Sequence, residues 1–280
     1  MPLRSNLAEV TWIGILSGIV SGFFLGILIF LLNSPFILEA EKFETQTSPL
    51  KTHVDADLNV HGQSQHTHSH TNGPHTSNTL DKFKLQDEAY ILSKRNLWTI
   101  FGSILLGIGF GILCALWTHF LPPFSVEGKE SLLKVLLNSI LFAVSGFLIF
   151  FGIPAMGLPP ELPGRLAGEA DYGARQTWWY FCVLSCSCGF AFFSGLLAYS
   201  KRGEVWKWGL GLAVLFASIS LPFLSGAPIL SEESITPLDL RSKFETISWI
   251  VNFLFWLVLS LCFFLLQRKR SLPISDLGRA

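Results

Sequence analysis

The sequence predicts an all-α integral membrane protein, a bundle of about six transmembrane helices with one disordered, histidine-rich outer loop. Three observations predict it. Half of the 280 residues are hydrophobic and only 14% are charged, whereas ordinary soluble domains are about a quarter charged. The apolar residues come in uninterrupted runs of roughly 20, the helical length that crosses a ~30 Å hydrocarbon core. Five of the seven histidines, His61, His66, His68, His70 and His75, fall in one polar stretch. The net charge is zero, so no basic surface invites nucleic acid. The five cysteines all lie in apolar runs, which argues against a disulfide framework.

The first run, residues 11–32, holds no charge. It is too long for a signal-peptide core, and no small-x-small cleavage site follows, so it reads as an uncleaved span. Gly14, Gly18, Gly22 and Gly26 recur every fourth residue and form a ridge against which another helix can pack closely. Asn33-Ser-Pro35 ends the run, and Glu39, Glu41 and Glu44 follow at the membrane edge. Residues 45–79 are polar, with too little apolar surface to offset chain entropy, and read as disordered. Residues 82–94 read as a short interfacial helix.

Five further spans are predicted at residues 97–120, 135–153, 178–199, 208–223 and 247–266. The second repeats the small-residue spacing at Ser103, Gly107, Gly111 and Ala115. The chain thus divides into residues 1–44 (first helix and acidic exit), 45–96 (His-rich extracytoplasmic loop), 97–270 (five-helix bundle) and 271–280 (cytoplasmic tail). With the N-terminus inside, ten Lys and Arg fall on the cytoplasmic side. The short outer loops hold four, Arg165, Arg175, Arg241 and Lys243. That asymmetry predicts a multi-pass protein with both termini cytoplasmic. Lys94 and Arg95, beside the second span, count against it.

This orientation gathers imidazole and carboxylate on the outer face, where they would concentrate divalent cations. The histidine run can bind metal. It pays ordering entropy on doing so, which makes its binding modest and unselective. The alternative is a solvated linker. The segment Gly157-Leu-Pro-Pro-Glu161-Leu-Pro-Gly164 is stiff, because each proline fixes φ and removes an amide donor. It holds Glu161 near the membrane surface, and Arg175 is expected to pair with Glu161 or Asp171. The candidate metal residues are therefore Glu39, Glu41 and Glu161, with His61, His66, His68, His70 and His75 as an antenna. Cations would then cross between the glycine-faced helices.

Other polar groups read more simply. Trp178 and Trp179 are expected as interfacial anchors. Cys182 and Cys186, one helical turn apart, are a possible soft-metal pair, though buried cysteines more often act as small hydrophobes. His119 reads as structural, and Asn138 and Asn252 as helix–helix hydrogen bonders. No span carries a charge at its centre, as many ion-coupled transporters do. No phosphate-binding loop, nucleophile–base pair or His-Glu-x-x-His motif occurs, so neither an ATPase nor an enzyme is expected.

Four motifs occur in order: Leu38-Glu-Ala-Glu41, the segment 157–164, Arg175-Gln-x-Trp-Trp179 and Ser225-Gly-Ala-Pro228. Together, across residues 7–266, they resemble the CbtA family of proposed bacterial cobalt transporter subunits. The resemblance implies a cytoplasmic-membrane subunit for cobalt uptake linked to cobalamin synthesis. It also implies a small single-span CbtB-like partner carrying histidines. No cofactor is implied beyond the transported or bound divalent metal, and the partners besides CbtB are that ion and membrane lipid. The family pattern has a Pro-His pair before Gly-Ala-Pro, where this chain has Pro222-Phe223. The residues alone leave two alternatives open, a non-transporting metal scaffold or sensor and a nickel or zinc permease.

Overall fold

The computed structural model describes residues 6–47, 77–120, 131–162, 169–199, 204–229 and 235–271, and these form helices and short connections with no strand among them. The helices are α1 (Leu7–Leu28), α2 (Ser34–Thr47), α3 (Ser77–Phe120), α4 (Leu132–Phe147), α5 (Ile153–Gly157), α6 (Glu169–Tyr199), α7 (Val205–Ser225) and α8 (Leu238–Ser271). Six helical runs are long and apolar enough to cross a membrane: Leu7–Phe43, Lys94–Phe120, Leu132–Gly157, Asp171–Tyr199, Val205–Ser225 and Leu238–Arg270. Each contains one of the six predicted spans.

The first span outruns its prediction. Asn33-Ser-Pro35 does not stop the helix; a π-helical turn, Ile29–Asn33, carries α1 into α2. Proline cannot donate to the carbonyl four residues back, and its ring crowds that carbonyl. The wider π turn just upstream relieves both problems while keeping the helix intact. The third span repeats the device. A π turn at Leu148–Gly152 joins α4 to α5, again two residues before a proline, Pro154. In both, the backbone bond spans five residues, Ser34 N–H to the Ile29 carbonyl and Ile153 N–H to the Leu148 carbonyl. The helix expected at residues 82–94 is the early part of α3, which runs unbroken from Ser77 into the second span. Residues 48–76, and with them all five histidines of the polar run, lie outside the described residues.

The glycine ridge does what its spacing predicts. α1 and α3 are antiparallel, and Gly14 meets Gly111, Gly18 meets Gly107, and Gly22 meets Ser103. A Cβ at Gly18 would collide with the Gly107 carbonyl, and one at Gly26 would stand 2.9 Å from the Ile100 Cα. Backbone lies on backbone, the arrangement that packing and Cα–H···O contacts favour in lipid. The same contact corrects the expected route: this seam is closed and leaves no gap through which a cation could pass.

α8 lies antiparallel to α1 and completes the centre. At one end Asn33 Nδ2 donates to Ser248 Oγ at 3.2 Å, and at the other Arg270 pairs with Glu9 at 2.8 Å. The interhelical amide bond expected of Asn252 is made by Asn33 instead; Asn252 donates within α8 to the Ser248 carbonyl. α4 packs on α8 through aromatic rings. Phe147 meets Trp249 and Phe253 edge-on, and Phe150 stacks on Trp256 with centroids 5.4 Å apart. Gly146 makes the room, since a Cβ there would sit inside the Trp256 ring contact.

α6 and α7 form a hairpin at the side of this bundle. Gly189 of α6 lies against Ser218 of α7, where an added Cβ would meet the serine Cβ at 2.6 Å. α7 contains Pro222, which cannot bond the Ser218 carbonyl four residues back. Ser185 of α6 supplies the missing donor, its Oγ standing 2.6 Å from that carbonyl. In lipid an unsatisfied carbonyl costs several kcal/mol, roughly, so such substitution is what makes an in-span proline tolerable.

Candidate metal site at the acidic end of the bundle

The carboxylates predicted to take metal lie at one end, where α2, the segment after α5, the start of α6 and the start of α8 meet. Ala40, between Glu39 and Glu41, is fully buried and packs with Leu162, Leu240 and Phe244. Leu162 directly follows Glu161. One small apolar cluster therefore ties the proline-stiffened segment to the acidic turn of α2. Beside this cluster Glu39 is exposed, and Glu41 and Glu161 are partly exposed.

Each carboxylate has a basic neighbour on another helix. Glu41 Oε1 is 2.6 Å from Arg95 Nη1 of α3, with both side chains 38% exposed. Glu161 pairs with Arg175 of α6, as the sequence suggested, and this pair is the more buried of the two. Glu39 is exposed, and its charge acts on Lys243 of α8, which also bonds Asp239 at 2.7 Å. Among the described residues no three His, Cys, Asp or Glu side chains converge as a metal-holding group. His61, His66, His68, His70 and His75 lie outside those residues.

Two tryptophans fix the geometry around Glu161. Trp178, expected as an interfacial anchor, is buried, and its Nε1–H donates to the Pro154 carbonyl at 3.0 Å. Gly157 is needed because its Cβ would strike the Trp178 ring. Trp179 remains partly exposed and donates to the Phe150 carbonyl at 3.1 Å. That carbonyl is the one Pro154 cannot bond, four residues ahead. A cleft of about 390 Å³ opens beside these residues, with Arg175 in its wall.

A family model described as "Probable cobalt transporter subunit (CbtA)" matches residues 7–267. The chain belongs to the CbtA family. No curated protein and no solved structure matches it. A CbtA chain with six membrane-crossing helices is a multi-pass membrane protein, and a subunit of a cobalt transporter has both a partner and a metal to move. In this CbtA member, Cys182 and Cys186 are both fully buried among Ile149, Ile153 and Trp178 and fill space as small hydrophobes. Phe223 meets the Trp178 ring edge-on with centroids 5.5 Å apart.

Sequence reasoning overlooked three residues of this neighbourhood. Arg95 entered only as a topology count, Trp178 only as an anchor, and Ser185 not at all. A signal for Ser185 existed. A proline inside a span frees a carbonyl, and some donor on a neighbouring helix must answer it. Which donor does so depends on packing.

Proposed function

We propose that this chain is the membrane subunit of a cobalt uptake transporter, with its acidic end facing outward and both termini in the cytoplasm. The membrane is the bacterial cytoplasmic membrane, the partner is a small single-span CbtB-like protein, and the chain itself catalyses no reaction. The histidine run 61–75 collects cations loosely. Glu39, Glu41 and Glu161 then take them at the mouth. The observation that carries this reading is the burial of Leu162 against Ala40. It supports a shared mouth built from two acidic segments that are far apart in sequence. Carboxylate and imidazole suit cobalt, nickel and zinc alike, so cobalt rests on the family.

Cobalt accumulation in cells tests the reading. Replacing Glu39 and Glu41 together by Ala is expected to abolish uptake. Deleting residues 61–75 is expected only to raise the cobalt concentration required. If the deletion alone abolishes uptake at every concentration, the antenna and the mouth have been assigned in the wrong order.

A second reading, a metal-binding scaffold that does not transport, is favoured by the lack of any charge at the centre of a span. Purified protein in liposomes, with and without the small partner, separates the two. Cobalt that binds but never enters the lumen supports the scaffold.

A further inference from the structure

Glu161 and Arg175 are held by backbones that have little room to move. On the Glu161 side, Gly157 is pressed against Trp178, Pro159 and Pro160 fix their own φ angles, and Leu162 is buried. On the Arg175 side, Trp178 lies one turn further along α6 and is bonded to the Pro154 carbonyl. The flexible part of the pair is the arginine side chain. Its Nε is buried and makes no hydrogen bond among the described residues, so the present position leaves one donor unused. The cleft next to it, about 390 Å³, is bordered by Pro154, Leu158, Gln176, Trp179 and Tyr180. Aromatic faces of this kind attract a guanidinium.

A carboxylate oxygen cannot serve a guanidinium and a divalent cation at the same distance without setting two positive centres against each other. We propose that Arg175 is a latch on Glu161. Its guanidinium occupies the carboxylate until a divalent transition-metal cation replaces it, and it then turns into the cleft against Trp179 and Tyr180. The inference rests on the reading of Glu161 as a metal ligand. It adds a specificity rule. A monovalent ion neither coordinates strongly nor outweighs the arginine and so leaves the latch shut. A divalent ion that bonds carboxylate oxygen directly opens it. Arg175 is thus a positioning residue that sets the threshold for entry and never contacts the metal.

The test is equilibrium binding of Co²⁺ to the purified full chain in detergent, with and without excess Na⁺. Subtracting the matching Glu161→Gln variant isolates the Glu161 site from cobalt held elsewhere. Arg175→Gln is expected to tighten the Glu161-dependent binding about fivefold, the scale of a partly exposed ion pair. It should also make that binding sensitive to Na⁺, which the wild type resists. Arg175→Lys, which keeps the charge but loses the planar fork, should fall between them and serves where Arg175→Gln fails to fold. The double variant Glu161→Gln with Arg175→Gln should match Glu161→Gln alone. If Glu161→Gln lowers binding but neither arginine variant tightens it, the latch is overturned while Glu161 remains a ligand. If Glu161→Gln leaves binding at the wild-type level, the assignment of Glu161 fails, and the latch fails with it.

Discussion

The bundle of α1, α3, α4 and α8 and the hairpin of α6 and α7 sit in the same membrane but are held by different physics. In the bundle, shape does the work. Small residues bring α1 and α3 into backbone contact, and rings interleave between α4 and α8. In the hairpin, α7 is the least covered of the six spans. Only 11% of the apolar window of Val205–Ser225 is buried, against 44% for Leu132–Gly157. There the defining contacts are hydrogen bonds from α6 to carbonyls that prolines have freed. Trp179 answers Phe150 opposite Pro154, and Ser185 answers Ser218 opposite Pro222. Lipid removes the hydrophobic drive between helices, so a helix must be held either by close fit or by polar groups that have no other partner. The bundle relies mainly on the first, and the contacts of α6 add the second.

The comparison can be broken first at the ridge. Gly18→Leu or Gly107→Leu places a side chain where the other helix has its carbonyl, and no rotamer avoids it. The expected loss is about 3 kcal/mol or more, read as a collapse of folded protein in the membrane and of thermal stability in detergent. Variants that fold normally would mean that α1 and α3 do not touch along this face.

The joint between the halves comes next. Trp178→Ala removes a buried ring and the donor to the Pro154 carbonyl, with an expected cost of about 3 kcal/mol. Trp178→Phe keeps most of the ring and loses the donor, and should cost about 1–2 kcal/mol. Equal melting temperatures for the two variants would show that the hydrogen bond contributes nothing.

The smallest effect lies inside the hairpin. Ser185→Ala should cost about 1 kcal/mol by orphaning the Ser218 carbonyl. In a Pro222→Ala background the backbone N–H returns to that carbonyl, so the serine should cease to matter. A serine effect that persists undiminished without the proline would refute the pairing of freed carbonyl and answering donor. Double-mutant melts read this coupling directly.

The site was partly legible in the chain. Local patterns marked the six spans, the ridge and the stiff segment around Glu161, because each depends on residues a few positions apart. The Arg175–Glu161 pair was also within reach, its members only fourteen positions apart (175 − 161) on either side of one connection. Arg95 was not. It lies 54 positions from Glu41 and meets it because α3 returns antiparallel to α1. Asn33 was misread for a related reason. Its Asn-Ser-Pro context resembles a helix end, yet a π turn carries the helix through and buries Asn33 against Ser248.

What the sequence determined by itself was the solvent of each segment. Runs of about 20 apolar residues cannot remain in water, and their backbone must be helical once in lipid. It also determined which residues are small enough for close approach, and that carboxylates and imidazoles cluster at predicted membrane edges. Tertiary structure decided the partners. It closed the α1–α3 seam, set an arginine on Glu41 and another on Glu161, and gave the proline-freed carbonyls their donors. These choices are matters of distance between helices, and composition and periodicity carry no information about distances across a bundle.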